Sequence, residues 1–220
     1  MTDSGAGRKA VAILISGRGS NMAALIDAAC APDYPARIAL VLSNRADAEG
    51  LAEAQAKGIA TAVIESKGKD RAAFDAELDA LLNASGIDIV CLAGFMRLLT
   101  PQFVQGWSGR MINIHPSLLP AFKGLDVHRR VVEAGAKITG CTVHFVVPEM
   151  DDGPVIAQAA VPVPDGATAD DVAAAVLAQE HVIYPQALRW LAEERLAVSG
   201  NTVTVRDAEL AKSALLSPLP

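Results

Sequence analysis

Apolar residues come in short unbroken runs near the start of the chain, with helically spaced apolar positions between them. Residues 10–16 (AVAILIS) form one such run, rich in branched side chains, as expected of a strand buried on both faces. Gly17 and Gly19 break it, and a helical stretch over 22–30 follows. The unit then repeats. Residues 37–43 (RIALVLS) read as a second strand, 49–57 as a short helix closed by Gly58, and 60–65 as a third strand. Over 70–84, Phe74, Leu78, Leu81 and Leu82 share one face of an amphipathic helix. Residues 87–93 (IDIVCLA) read as a fourth strand, 101–107 as a helix and 111–115 as a fifth strand. Strands alternating with helices predict an α/β fold, a doubly wound and mostly parallel sheet with a Rossmann-like N-terminal half.

Past residue 115 the rhythm changes. A loop with proline and glycine spans 116–126, a short helix 128–134, and strands over 142–147 and 155–163 extend the sheet. Residues 169–194 are helical with Pro185 inside; the proline removes one backbone bond, frees a carbonyl near His181 and predicts a kink. Residues 196–198 and 202–205, around Ser199-Gly200-Asn201, predict a terminal hairpin. Residues 1–220 read as a single domain, with one half over about 10–110, a second over about 111–196, and a hairpin and tail beyond. Residues 1–9 read as a loose tail without the apolar centre of a secretory signal.

Composition narrows the class. Hydrophobic residues are 51% of the 220 and charged ones 20%, with no apolar run long enough to span a bilayer, which predicts a soluble protein with no membrane partner. A net charge of −6 argues against a nucleic-acid surface but leaves room for a small anionic substrate. Cys30, Cys91 and Cys141 make neither a disulfide framework nor a metal or redox pair, and a reducing cytoplasm fits. His128 and His181 lack metal-ligand spacing, so no metal is predicted.

Candidate chemistry gathers at two places. On the fifth strand Met111, Asn113 and His115 alternate with Ile112 and Ile114, so the amide and the imidazole leave one face just before Pro116 ends the ladder. Asp151, in Asp151-Asp152-Gly153-Pro154, adds a carboxylate. Singly, these residues read as a buried pair tying down a loop and as an acidic turn; together, at the exit of a strand in an open α/β sheet, they favour catalysis without a nucleophilic side chain. The second place is Gly17-Arg18-Gly19-Ser20-Asn21. It is either an anion site at a helix start or an ordinary turn capped by Ser20 or Asn21. It is not the dinucleotide fingerprint, because Met22 replaces the third glycine and Asn44 the acidic residue, and it is not a P-loop. His144 reads as a supporting or satisfied core histidine. Phe95-Met96-Arg97-Leu98-Leu99 reads as the wall of a flat ligand site or as core plus a surface arginine.

The motifs Ser16 to Asn21, Ala93 to Arg97, Asn113 to Pro120 with Phe122-Lys123-Gly124, Gly140 to Val146 and Asp151 to Pro154 resemble the phosphoribosylglycinamide formyltransferase family of purine biosynthesis. The likeness runs in order from about residue 10 to 196; Val131 departs where alanine is commoner, and the tail beyond 196 carries no motif. It implies an enzyme that transfers a formyl group from 10-formyltetrahydrofolate, its co-substrate, to the amine of glycinamide ribonucleotide. It further implies a catalytic trio of Asn113, His115 and Asp151. Ribonucleotide contacts would be Gly19, Ser20, Asn21 and Asn113 with Leu177, Ala178, Gln179 and Glu180. Folate contacts would be Arg71, Met96, Arg97, Leu98, Leu99 and Asn113 with Val147, Pro148, Glu149, Met150 and Asp151. A monomer or homodimer in the cytoplasm is the accompanying expectation. Two alternatives stay open: another folate-dependent enzyme such as methionyl-tRNA formyltransferase or formyltetrahydrofolate hydrolase, whose extra domains 220 residues leave no room for, and a nucleotide-binding module without catalysis.

Overall fold

A computed structural model describes residues 7–209, 213 and 215–217. Residues 1–6, most of the stretch read as a tail, lie outside it, and Lys9 already belongs to the first strand. In chain order the elements are β1 (Lys9–Ile15), α1 (Ser20–Ala29), β2 (Ala36–Ser43), α2 (Glu49–Ala56), β3 (Thr61–Val63), α3 (Arg71–Ala84), β4 (Ile89–Leu92), α4 (Pro101–Gly106) and β5 (Met111–His115). After these come α5 (Val127–Glu133), β6 (Ile138–Phe145), β7 (Val155–Pro162), α6 (Ala169–Ala192), β8 (Leu196–Ser199) and β9 (Thr202–Val205).

The strands form one sheet in the order β3-β2-β1-β4-β5-β6-β7-β9-β8. β1 to β5 pair in parallel, as their apolar runs imply, while β6 runs antiparallel to both β5 and β7. The fold is thus α/β, mostly parallel and doubly wound. Two apolar layers cover it. Ile13, Cys91, Ile112 and Ile114 pack with α1 and α6 on one face; Leu14, Val90 and Met111 pack with Phe74, Leu78 and Trp107 on the other. Strand order reverses between β1 and β4, which puts the ligand crevice of such a sheet beyond their C-terminal ends.

Three boundaries differ from the pattern. α1 starts at Ser20, and its N-cap is Gly19 in the left-handed region (φ 82°), so neither Ser20 nor Asn21 caps it. β6 begins at Ile138 rather than 142. Gly140, which looks like a break in the sequence, is where β6 and β7 approach most closely: a Cβ there would sit 1.9 Å from the Ala159 carbonyl. α6 runs from Ala169 to Ala192 through Pro185, anchored at its start by the reciprocal Thr168–Asp171 capping box.

Candidate active site

β5 delivers Asn113 and His115 to the same side, and antiparallel pairing sets Asn113 opposite His144 and His115 opposite Thr142. The polar groups then lock one another. His144 Nδ1 lies 2.8 Å from the Phe145 carbonyl, which can only accept, so that nitrogen carries the proton and Nε2 is left as an acceptor. Asn113 Nδ2 donates to it at 3.2 Å. Burial holds the His144 imidazole below its ordinary pKa, against the opposing pull of the Phe145 carbonyl and Asp151, so the ring stays neutral and the orientation of the Asn113 amide is fixed. One amide hydrogen and the carbonyl oxygen of Asn113 remain for a ligand.

His115 is 5% exposed. Its Nε2 donates to the Phe122 carbonyl at 3.0 Å, and its Nδ1 lies 3.5 Å from Asp151 Oδ2. Asp151 Oδ2 also accepts from the Gly124 amide at 2.8 Å, and Oδ1 is 4.0 Å from His144 Nε2. Asp151 itself is left-handed, with φ 53°. Two neighbours press its turn into place: Gly153 fits against the Phe145 carbonyl, where a Cβ would lie at 1.8 Å, and Asp152 pairs with Lys123. The loop that supplies the Phe122 carbonyl and the Gly124 amide is itself held by Thr142, whose hydroxyl donates to the Ser117 carbonyl at 2.6 Å and accepts from the Leu119 amide at 3.0 Å. Amide, imidazole and carboxylate therefore converge at the end of β5: the alternation of the strand anticipated the first two on one face, and the 151–154 turn brings the third.

The glycine turn follows β1 at the same end of the sheet. Residues 17–21 with Ala93 and Gly94 line a cavity of about 160 Å³ at the β1–β4 switch point. Asn21 Nδ2 donates to Glu180 Oε2 at 2.6 Å, while Asn21 Oδ1 is buried without a hydrogen-bond partner among the described residues. Burial raises the Glu180 carboxyl above its ordinary range, and the Asn21 bond offsets part of that. Of the four residues expected on α6, Glu180 makes this link; Ala178 faces solvent, and Leu177 and Gln179 are half-buried.

The segments that the resemblance marks for folate carry exposed apolar side chains. Met96 and Leu98 are exposed to 67% and 57%, and Met150 to 56%, so both segments display large apolar side chains to solvent. Val147 is half-buried, Leu99 likewise, and Pro148 and Glu149 are exposed. The Arg97 guanidinium is committed to the protein: it stacks on Phe74 at 4.4 Å and donates to the Ser66, Lys69 and Asp70 carbonyls. It thereby braces the loop just ahead of Arg71, which opens α3 with its side chain exposed. Cys30 is exposed, unlike the buried Cys91 and Cys141. Among the described residues no group of three His, Cys, Asp or Glu side chains could hold a metal.

Several supporting groups escape sequence reasoning. Ser16 Oγ donates to Asn44 Oδ1 at 2.6 Å and accepts the Met96 amide at 2.7 Å, tying the ends of β1 and β2 to the loop after β4. Phe122 and Gly124 act through backbone atoms, for which residue type gives no signal.

An open α/β sheet with a glycine turn at its switch point and a polar trio at the next strand exit defines a doubly wound α/β protein with a candidate small-molecule site at the ends of its strands. The formyl transferase family model matches residues 9–188, and the chain belongs to that family. It is 47% identical over 192 residues to phosphoribosylglycinamide formyltransferase of Escherichia coli, covering 87% of this chain and 91% of that one. It is 50% identical over 192 residues to the trifunctional purine biosynthetic protein adenosine-3 of Bos taurus, of which it spans 19%. The structure of glycinamide ribonucleotide transformylase 1 from Symbiobacterium toebii superposes with a TM-score of 0.89 at 46% identity, covering 91% of this chain and 95% of the other.

Proposed function

We propose that the protein transfers the formyl group of 10-formyltetrahydrofolate to the amine of glycinamide ribonucleotide. The observation that carries this reading is the convergence of Asn113, His115 and Asp151 at the same end of the sheet as the glycine turn, in a chain with a full-length relative named phosphoribosylglycinamide formyltransferase. The ribonucleotide phosphate sits on the backbone amides of 19–21, where the N-terminus of α1 favours an anion. The folate lies along the apolar rim of Met96 and Leu98, with the 147–151 segment on its other side.

The chemistry needs two things of the protein. As the amine adds to the formyl carbon, negative charge grows on the formyl oxygen, and a positioned donor there is typically worth about 3 kcal/mol. The free hydrogen of the Asn113 amide and the His115 imidazolium supply such donors. His115 Nε2 reaches the oxygen by exchanging its Phe122 carbonyl partner. The second need is proton transfer. The amine nitrogen loses a proton as its bond to carbon forms, and the folate nitrogen gains one as its bond to carbon breaks. Asp151 holds the imidazolium, takes the first proton and returns one to the departing nitrogen. No covalent enzyme intermediate is needed.

An assay offering glycinamide ribonucleotide, initiator methionyl-tRNA and water as acceptors tests the reading. Rapid formylation of the ribonucleotide alone is expected. Turnover confined to hydrolysis or to the tRNA would replace it with one of the other folate-dependent activities, and binding without turnover would make the protein a nucleotide-binding module.

A further inference from the structure

Pro185 sits inside α6, one turn beyond Glu180. Lacking an N–H, it leaves the His181 carbonyl without its helix donor, so the ladder is weakest just after the residue that reaches Asn21. Two tyrosine hydroxyls grip the helix at that point. Tyr34 Oη donates to the Pro185 carbonyl at 2.6 Å. Tyr184, 0% exposed, donates to the Leu92 carbonyl at 2.9 Å and shares the bond with the Ile112 carbonyl at 3.2 Å, bridging β4 and β5.

The two carbonyls are not arbitrary. Leu92 precedes Ala93 and Gly94, which line the cavity, and Ile112 precedes Asn113. Glu180 and Tyr184 are four residues apart, so they share a face of α6. One buried hydroxyl therefore joins the floor of the crevice, the strand that bears the catalytic amide and the turn that bears Glu180. A phenylalanine would fill the same space without demanding partners for a hydroxyl. Cys91, beside the phenol, is pushed up to about 12 by burial and stays a neutral thiol.

We propose that Tyr184 is a positioning residue for the ribonucleotide: it holds the Glu180 turn in register with the β4–β5 edge, compensating for the backbone bond that Pro185 removes. The inference rests on the reading of residues 19–21 and Glu180 as the ribonucleotide site. Wild-type assays come first; failure to formylate the ribonucleotide there would sink that reading independently of the strut.

Given that activity, Tyr184→Phe raises the ribonucleotide KM about fivefold or more, with the folate KM within about twofold and kcat within about threefold. Leu82→Ala, in the core on the opposite sheet face, lowers the melting temperature at least as much and leaves both KM values within about twofold. Because the strut acts through Glu180, adding Tyr184→Phe to Glu180→Gln raises the ribonucleotide KM by no more than about twofold over Glu180→Gln alone. Amide exchange supplies a readout apart from turnover: the 177–184 segment exchanges faster in Tyr184→Phe and not in Leu82→Ala. Equal rises in both KM values, full additivity with Glu180→Gln, or the same ribonucleotide defect in Leu82→Ala would overturn the proposal. Should Tyr184→Phe fail to fold, Pro185→Ala restores the missing donor and carries the test. In that background Tyr184→Phe costs under about twofold in ribonucleotide KM, and a fivefold cost there would refute compensation.

Discussion

Asp151 occupies the left-handed region at φ 53°, which asparagine tolerates at least as well as aspartate. Asp151→Asn therefore keeps the turn and the Gly124 bond while removing the charge and the base. Since general acid–base groups are commonly worth about a hundredfold or more, kcat should fall at least that far with both substrates bound near their normal affinity; a variant that turns over almost normally would reduce Asp151 to a turn residue. His144 gives a second, pH-dependent outcome. Burial lowers its pKa in the folded state, so below the ordinary imidazole value of about 6.5 the unfolded chain binds more protons than the folded one. Its contribution is complete above that value and is lost as pH falls through the folded pKa. Thermal melts should show a decline from pH 7 to pH 5 that is shallower in His144→Gln; an unchanged slope would show that another group sets the acid limb. At this scale the sequence was legible where strand alternation alone decides which face a side chain leaves. Alternation along 111–115 put Asn113 and His115 on one face, and both are found there. Nothing in residue type could announce the Phe122 carbonyl or the Gly124 amide, because every residue carries those groups.

Glycines at element junctions are the positions where the sequence pattern says least and the fold demands most. Gly153 carries no conformational signature of its own, yet a Cβ there would lie 1.8 Å from the Phe145 carbonyl at the end of β6. Gly153→Ala should cost about 3 kcal/mol, the upper end of overpacking, and displace Asp151 two residues away. Gly109→Ala makes the comparison: it meets open space and pays only for its positive φ, about 1 kcal/mol. Denaturant melts and kcat on both variants separate the effects, with activity lost in the first and kept in the second; equal activities would mean that the 151–154 turn repacks freely. The apolar runs of β1, β2 and β4 were readable because parallel strands buried on both faces leave no alternation. The start of β6 at Ile138 was not, since glycine is a poor strand former and Gly140 is favoured here only by the close approach of β7. The start of α1 was misread for a related reason: Gly19 caps the helix through its backbone conformation, and the Asn21 side chain serves Glu180 instead.

Across the whole molecule, function is concentrated before the last two strands. The family match ends at residue 188, and the residues proposed for both substrates end at Glu180. β8 and β9 join the sheet through a single registered pair, Val155 with Thr202, while Leu196 and Val203 pack only at the margin of the core. Their visible contribution is to cover the Val155 end of the outer edge of β7, whose unpaired backbone groups would otherwise template strand addition. Arg195 closes the hairpin through the Arg206 carbonyl, and Lys9 pairs with Glu194 just ahead of it, so a cut after Arg195 keeps the β1 tether and removes the edge cover. A chain ending at Arg195 should retain kcat within about threefold and both KM values, because no group that touches substrate is lost. It should also melt at a lower temperature and aggregate more readily as concentration rises, which light scattering during the melt would follow. A loss of kcat beyond about tenfold in a truncated protein that still binds both substrates would instead make the hairpin part of the catalytic apparatus.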